Sequence, residues 1–208
     1  LPAGGLAIIN RDDAYAGFWQ ERLPAGCRQL GFGVQQGADV RAVDIAMGND
    51  GCARFTLVTG GARVAVQLAV PGLHNVSNAL AAAAVGIACG VALPDIATAL
   101  ATVQAVAGRL VVRELSGDIR LVDDTYNANP GSVRAAIDTL CTWPGRRLLV
   151  LGDMGELGPT AAELHRAVGA HARPAGVDRL LALGTHAADT VAGFGAGGEA
   201  FADVETLV

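Results

Sequence analysis

Eight consecutive residues, Asp123-Asp124-Thr125-Tyr126-Asn127-Ala128-Asn129-Pro130, place two carboxylates, a hydroxyl, a phenol and two carboxamides at the end of an apolar run. A carboxylate in such a stretch can accept from both hydroxyls of a ribose. A carboxamide carries donors and an acceptor, so it can orient a polar substrate. The same residue types build Asx turns and cap helices, and spacing alone leaves both readings open. A second stretch, Gly152-Asp153-Met154-Gly155-Glu156-Leu157-Gly158, has the glycine density of a phosphate loop but lacks the G-x-x-x-x-G-K pattern. Its acids repel phosphate, so it suits an ammonium group or a metal ion better, or is simply a glycine-rich turn. A third, Pro71-Gly72-Leu73-His74-Asn75-Val76-Ser77-Asn78, opens an alanine-rich helix. Asn75 is placed to cap that helix, and Asn78, three residues on, shares its face.

Single residues carry less. His74 reads as a structural or hydrogen-bonding histidine rather than a metal ligand. Arg109, beside Gly108 at a change of texture, is either a hinge residue or a phosphate contact. His165, His171 and His186 read as ordinary helix or loop residues, and Cys141 and Trp143 as core.

The elements that must position these groups follow from periodicity. Gly5 to Asn10 and Gln29 to Gly33 are short apolar runs with the character of buried parallel strands. Between Asp39 and Val70 the texture is β: Phe55 and Leu57 alternate with polar neighbours, Gly60-Gly61 makes a turn, and Val64, Val66 and Leu68 alternate again. A Gly-Gly turn between alternating runs signals a hairpin. Helices are expected from about Asn75 to Cys89 and from Pro94 to about Val103. Past a boundary at Ala107-Gly108-Arg109, a second hairpin joins Leu110–Leu115 to Ile119–Asp123. Then helix, strand, loop, helix, strand and helix follow, with Thr160 and Glu163 at capping-box spacing. That alternation indicates an α/β class with a parallel sheet, in which ligands sit beyond the carboxyl ends of the strands. Both polar loops, after Val122 and after Leu151, are placed there.

Composition narrows the classes. The chain has 208 residues, enough for one large or two modest domains, at about 100–150 residues each. Hydrophobic residues make up 51 % but aromatics only 4 %, so Ala, Val, Leu and Ile must fill the core. A net charge of -5 without a basic stripe argues against nucleic acid or an acidic membrane as partner. All 15 positive side chains are arginine, and lysine is absent. The four cysteines form no C-x-x-C pair and read as buried thiols in a reducing compartment. The most apolar run, Ala79 to Leu93, is shorter than the roughly 20 residues a membrane span needs. Leu1 to Gly5 lacks the basic region of a signal peptide.

Taken together, PGLHNVSNALAAAAVGIACGV, GRLVVRE, VDDTYNANPGSVRAAIDTL and VLGDMGELG occur in an order and spacing that resemble the Mur ligase family, and GLAIINRDD resembles a further strand of it. The resemblance implies that residues 1–107 are the later part of a central P-loop-type ATP-binding domain with a β-rich segment. It implies that residues 108–208 are most of a Rossmann-like C-terminal ligase domain. The DDTYNANP and GDMGELG stretches resemble the branch that joins D-alanyl-D-alanine to UDP-N-acetylmuramoyl-tripeptide for peptidoglycan. That reaction is ATP-dependent amide-bond formation through an acyl phosphate, in the bacterial cytoplasm, by a monomer. By position, Asn75 and Asn78 then lie near adenine and ribose, Arg109 reaches the phosphates and Asp124 holds the ribose. Arg109 and Asp124 are the catalytic candidates, and with the two asparagines they are expected on one cleft. Tyr126, Asn127 and Asn129 line the cleft, and Asp153 and Glu156 face the incoming dipeptide. ATP and Mg2+ are the implied cofactors, with no metal ligand in this chain.

The departures matter as well. Without lysine there is no phosphate-loop lysine, and the UDP-sugar domain, the phosphate loop and the end of the third domain are expected to lie outside the chain. The chain alone is therefore expected to lack ligase activity. A non-catalytic Mur-like binding module is the alternative of a different class, but it would have lost the polar residues of 123–130, which are all here. A folylpolyglutamate- or cyanophycin-type ligase is another, against which the GDMGELG loop argues.

Overall fold

The structure is a computed structural model and describes residues 1–35 and 37–207. The chain divides into two compact units, Leu1–Gln104 and Ala105–Val208.

In the first unit, strands β1 (Leu6–Asn10), β2 (Arg28–Gly33), β3 (Val40–Met47), β4 (Cys52–Thr59) and β5 (Ala62–Pro71) form one sheet in that order. A short helix α1 (Ala16–Glu21) links the first two strands, and helices α2 (His74–Ala88) and α3 (Leu93–Thr102) complete the unit. The β1–β2 and β2–β3 pairs are parallel, whereas β3–β4 and β4–β5 are antiparallel. The β4–β5 turn is Gly60-Gly61, both with positive φ (52° and 84°), as a two-residue hairpin whose twist matches its strands requires. Alternation does the rest: Val66 and Leu68 of β5 are buried while Arg63, Ala65 and Gln67 are not. Helix α2 lays Val76, Ala79, Leu80, Ala83 and Ala84 against this sheet. Their period of three to four residues gives one apolar stripe. Mostly alanine, it builds a dense core with few aromatics.

The second unit opens with a hairpin of β6 (Val111–Leu115) and β7 (Ile119–Asp123). Helix α4 (Pro130–Leu140), strand β8 (Leu148–Leu151), helix α5 (Ala161–Ala175), strand β9 (Arg179–Leu183), helix α6 (Ala187–Phe194), strand β10 (Gly198–Phe201) and a single turn α7 (Val204–Leu207) follow. Strands β8, β9 and β10 make a parallel sheet with β9 in the middle. Ile137, Val168, Ala172 and Leu180 are fully buried between the helices and this sheet. Among the described residues no helix is long and apolar enough to cross a membrane. Cys27, Cys52, Cys89 and Cys141 are all free thiols, but only Cys52 is buried, so the expectation of buried thiols is met at one position.

Two local expectations are corrected, and one strand was not foreseen. Asn75 does not cap α2: the N-cap is Leu73 in a helical conformation, and the helix begins one residue before Asn75. Thr160 precedes α5 without a side-chain cap: it ends a 3-10 turn, Gly158–Thr160, and its hydroxyl donates back to the Leu157 carbonyl at 3.2 Å. Strand β10 was not legible, since Gly-Glu-Ala-Phe has no apolar alternation. Its place is set by pairing with β9 and by the Arg179–Glu199 ion pair.

Candidate functional site

In the first unit the chain leaves β5 at Pro71 and turns through Gly72 into α2. The Asn75 carboxamide nitrogen donates back to the Pro71 carbonyl at 2.6 Å, which ties the helix start to the strand end. Its oxygen accepts from the Asn78 carboxamide nitrogen at 2.9 Å. Asn75 is half-buried and Asn78 exposed. The pair thus forms a relay along one helix face, in which Asn75 is the anchor and Asn78 carries the outward acceptor.

In the second unit, Arg109, Asp124 and Tyr126 come together. Gly108 accepts the Tyr126 N–H at 2.9 Å, and Asp124 Oδ1 accepts the Leu110 N–H at 3.1 Å. These two bonds lace residues 108–110 to the loop after β7. Leu110 is buried with a positive φ of 49°, an unusual conformation for a side-chain-bearing residue. The Arg109 guanidinium carbon lies 4.4 Å from the Tyr126 ring centroid. That distance is in the range of a cation–π contact, which braces an otherwise exposed arginine. Asp123 turns the other way: the Thr125 hydroxyl and amide donate to it and hold its carboxyl below the usual carboxylate range. Asn127 is exposed, with its oxygen accepting the Ala128 N–H at 2.9 Å. Asn129 is the N-cap of α4, taking the Gly131 and Ser132 amides at 3.0 Å each in a full capping box with Ser132. Asp123, Asp124 and Asn127 border a cavity of about 510 Å³ whose floor is apolar, from Val133, Leu149 and Leu151.

The acidic loop after β8 is held from two sides. Its one buried side chain is Met154, 3 % exposed. The Met154 N–H donates to His165 Nε2 at 2.9 Å, and His165 Nδ1 lies 2.8 Å from the Ala161 carbonyl. A carbonyl only accepts, so Nδ1 carries the hydrogen and Nε2 is the acceptor. Asp153 reaches the loop after β9, where its two oxygens take the Thr185 and His186 amides at 2.7 and 2.9 Å. Partial burial pushes the Asp153 carboxyl up, but the His186 and Thr185 amides outweigh it, and the group sits below the ordinary carboxylate range. This approach depends on Gly184, where a Cβ would fall 2.6 Å from the Asp153 carboxyl carbon. The His186 ring stacks on His165 with centroids 4.7 Å apart. Glu156 is exposed with a φ of +61°.

His165, His186, Thr185 and Gly184 were missed as parts of this site. One signal existed: His165 shares the buried face of α5 with Val168 and Ala172, at spacings of three and four, where a histidine needs partners for both ring nitrogens. Among the described residues no group of three or more His, Cys, Asp or Glu side chains is arranged to hold a metal ion.

Comparison with known proteins brings these features under one description. The Mur ligase middle domain matches residues 1–86, and the Mur ligase glutamate ligase domain matches residues 108–208. The UDP-N-acetylmuramoyl-tripeptide–D-alanyl-D-alanine ligase of Escherichia coli K12 is 42 % identical over 212 residues, covering 100 % of this chain and 46 % of that protein. The ligase of the same name from Mycobacterium tuberculosis H37Rv is 33 % identical over 218 residues, covering 98 % and 42 %. Among solved structures, a crystal structure of MurF from Acinetobacter baumannii superposes with a TM-score of 0.88 at 34 % identity, over 97 % of this chain and 43 % of that one. The chain thus spans a little under half the length of these relatives.

Proposed function

This chain belongs to the Mur ligase family, and from that premise we propose that it is part of the ligase that joins D-alanyl-D-alanine to UDP-N-acetylmuramoyl-tripeptide. Its first unit is then the later part of the ATP-binding domain, and its second most of the C-terminal ligase domain, with a boundary near residue 107. The observation that carries the reading is the 42 % identity to the E. coli ligase along the entire chain. The groups described above have the chemistry this function asks for.

The reaction runs in two steps. The tripeptide carboxylate attacks the γ-phosphate of ATP, the bond to the β-phosphate oxygen breaks, and ADP leaves an acyl phosphate. The amine of D-alanyl-D-alanine then attacks the acyl carbon, the amide forms, and phosphate departs. The residues of this chain bind and orient. The outward acceptor of Asn78, steadied by Asn75, suits an adenine amine or a ribose hydroxyl. Asp124 keeps one oxygen on Leu110 and offers the other to a ribose hydroxyl. Arg109, braced on Tyr126, suits a phosphate oxygen. Tyr126, Asn127 and Asn129 border the substrate, and Asp153 and Glu156 belong to the loop that meets the dipeptide amine. Magnesium offsets phosphate charge in such chemistry, and no residue here is assigned to hold it.

Catalysis of phosphoryl transfer rests on positioning and charge neutralisation, commonly by a backbone cradle with its lysine. This chain has no lysine, so the reading includes no turnover by the chain alone. It further places the enzyme in the bacterial cytoplasm as a monomer. The test is ADP release with UDP-N-acetylmuramoyl-tripeptide, D-alanyl-D-alanine, ATP and Mg2+, on this chain and on a relative-length polypeptide that contains it. Dipeptide-dependent turnover by the longer protein alone is expected. Loss of about 10²–10³-fold on Arg109→Ala or Asp124→Ala is also expected, the range for removing one well-placed electrostatic group. Dipeptide-independent turnover, or turnover by this chain within tenfold of the longer protein, overturns the reading.

A further inference from the structure

We propose that the cavity between β7 and β8 is the seat of one further β-strand, parallel to both, which the segment following α7 supplies in a polypeptide of the relatives' length. It is not a substrate pocket. That such a segment exists rests on the function proposed above, and the shape of its seat rests on geometry.

The cavity of about 510 Å³ is lined by every residue of 120–123 on β7 and of Leu148–Leu151 on β8. Side chains of a strand alternate between faces, so a pocket lying on a sheet face meets every second residue. A pocket that meets all of them runs along the strand edges. Both edges are free: among the described residues β7 pairs only with β6, and β8 only with β9. A free edge leaves a row of N–H and C=O groups unpaired. Helix α4, which connects β7 to β8, lines the same cavity with Val133, Ala136 and Leu140. Their spacing of three and four makes one apolar stripe, laid over a gap where neither sheet continues. Strand β8 itself reads Leu-Leu-Val-Leu, with no charge or proline to blunt an edge. Such a run suits an interior strand of a parallel sheet, covered on both faces.

Strand order identifies the occupant. Strands β8, β9 and β10 lie in the order β10-β9-β8, the 3-2-1 half of a doubly wound sheet. In that sheet the fourth strand returns to the free side of the first, here the side of β8 that faces β7. After β10 the chain enters the helical turn α7, as a crossover does. Handedness agrees. The steps β7 to β8, β8 to β9 and β9 to β10 all run one way, and α4, α5 and α6 pack in one cluster with Leu149, Leu151, Leu180 and Ala182. A right-handed crossover running back the other way puts its helix on the opposite face. On that face Leu148 and Val150 are each 50 % exposed, outside both cores. One strand and its crossover thus cover both the slot and this face. A second copy of the chain does not fit, because its own β8 is backed by β9 and the slot is walled on both sides. Asp124 and Asn127 border the cavity past the carboxyl end of β7. A seated strand leaves them at the mouth, where ligands of such sheets bind.

The test is amide hydrogen exchange on this chain and on two longer polypeptides, one extended only past residue 208 and one only before residue 1. In this chain the β7 and β8 amides that bond neither β6 nor β9 should exchange as exposed groups. Extension past residue 208 should slow them by about 10²-fold or more, and extension before residue 1 should not. Val150→Glu should leave exchange in β9 unchanged in this chain and cut the new protection by about tenfold or more in the extended one. Should that variant fail to fold, the wild-type comparison still decides the matter. Unprotected slot amides in the polypeptide extended past residue 208 overturn the proposal. Protection in this chain that grows with its concentration also overturns it, since a second copy then fills the slot. So does a response of the Val133 and Leu149 methyl signals to ATP, UDP-N-acetylmuramoyl-tripeptide or D-alanyl-D-alanine, since the cavity then takes substrate. None of these readouts requires turnover. A protected slot without ADP release sinks the functional reading alone, and ADP release by a polypeptide whose slot amides stay unprotected sinks this one alone.

Discussion

Gly184→Ala is the substitution that most directly tests how the acidic loop is held. A methyl group at this position falls 2.6–2.7 Å from all three atoms of the Asp153 carboxylate, and φ there is +112°. The carboxylate cannot swing aside freely, because its oxygens are bound to the amides of the next two residues, Thr185 and His186. Relief therefore requires breaking those bonds or shifting the loop. Hydrogen bonds to a charged group are worth about 1.5–3 kcal/mol when buried. The Asp153 side chain is 35 % exposed, so solvent screening reduces each to about 1 kcal/mol. Alanine at a positive φ adds about 1 kcal/mol of backbone strain, offset in part by the narrower unfolded ensemble. The sum is a loss of about 2–3 kcal/mol from the second unit. Trp143 is 5 % exposed and lies in that unit, so its fluorescence during guanidinium unfolding reads the loss, with Trp19→Phe as background to silence the other tryptophan. Repeating the substitution in Asp153→Ala removes the atoms with which the methyl collides. Only the strain should then remain, giving a coupling of about 1–2 kcal/mol between the two positions. An equal loss in both backgrounds, or a loss under about 0.5 kcal/mol for the single variant, refutes the reasoning.

Three further outcomes are expected. Asn129→Ala should destabilise the second unit by about 1 kcal/mol through loss of the α4 cap, and Asn129→Asp should recover most of it in the same unfolding assay. Glu156→Gly should stabilise that unit by about 0.5 kcal/mol by relieving the positive φ, so a clear loss of stability would mean that the Glu156 side chain itself holds the loop. Asp153 has a folded pKa depressed below its unfolded value of about 3.9, so its contribution is present above about pH 4 and disappears as pH falls through the folded value. Urea midpoints followed from pH 6 to pH 3 should therefore fall more steeply for wild type than for Asp153→Asn, and parallel acid limbs would contradict the two-amide clamp.

How much of this was legible in the sequence depended on whether a signal was local. The β4–β5 hairpin announced itself, because alternation and a Gly-Gly turn are both properties of neighbouring residues. The strand–helix order of the second unit up to α6 was legible for the same reason, as was the existence of α2. What escaped was set by partners distant in sequence. Strand β10 exists because β9 offers a parallel edge to a glycine-rich segment with no pattern of its own. The clamp on the acidic loop joins Asp153 to residues 32 and 33 positions away, and Met154 to a histidine 11 away. Nothing in the neighbours of Gly184 reveals that a carboxylate fills the space its side chain would take. Asn75 failed differently. Its residue type suggested a cap, but the helix starts one residue earlier, and the same carboxamide ties the helix to Pro71 instead.

The density of polar side chains in residues 123–130 invites the inference that all of them face a ligand, and the hydrogen bonds argue for a division instead. Asp123 gives one oxygen to Thr125 and holds the other 3.9 Å from the Arg113 guanidinium, Asn129 is used by the first turn of α4, and one oxygen of Asp124 by Leu110. Those groups shape the loop, and a substitution at any of them changes binding by changing the loop. The second oxygen of Asp124, the Tyr126 hydroxyl and the Asn127 carboxamide nitrogen remain for a ligand. So does Arg109, which the Tyr126 ring keeps close by. The two readings left open by the spacing, a capping turn and a substrate contact, are therefore both right, but for different atoms. A polar motif next to a strand end is built in this way because a short loop cannot hold charged groups in a fixed geometry without spending part of its own polar inventory on its backbone. The acidic loop solves the same problem with a buried histidine and with backbone amides reached past Gly184 in the loop after β9, to which its own Asp153 is bound.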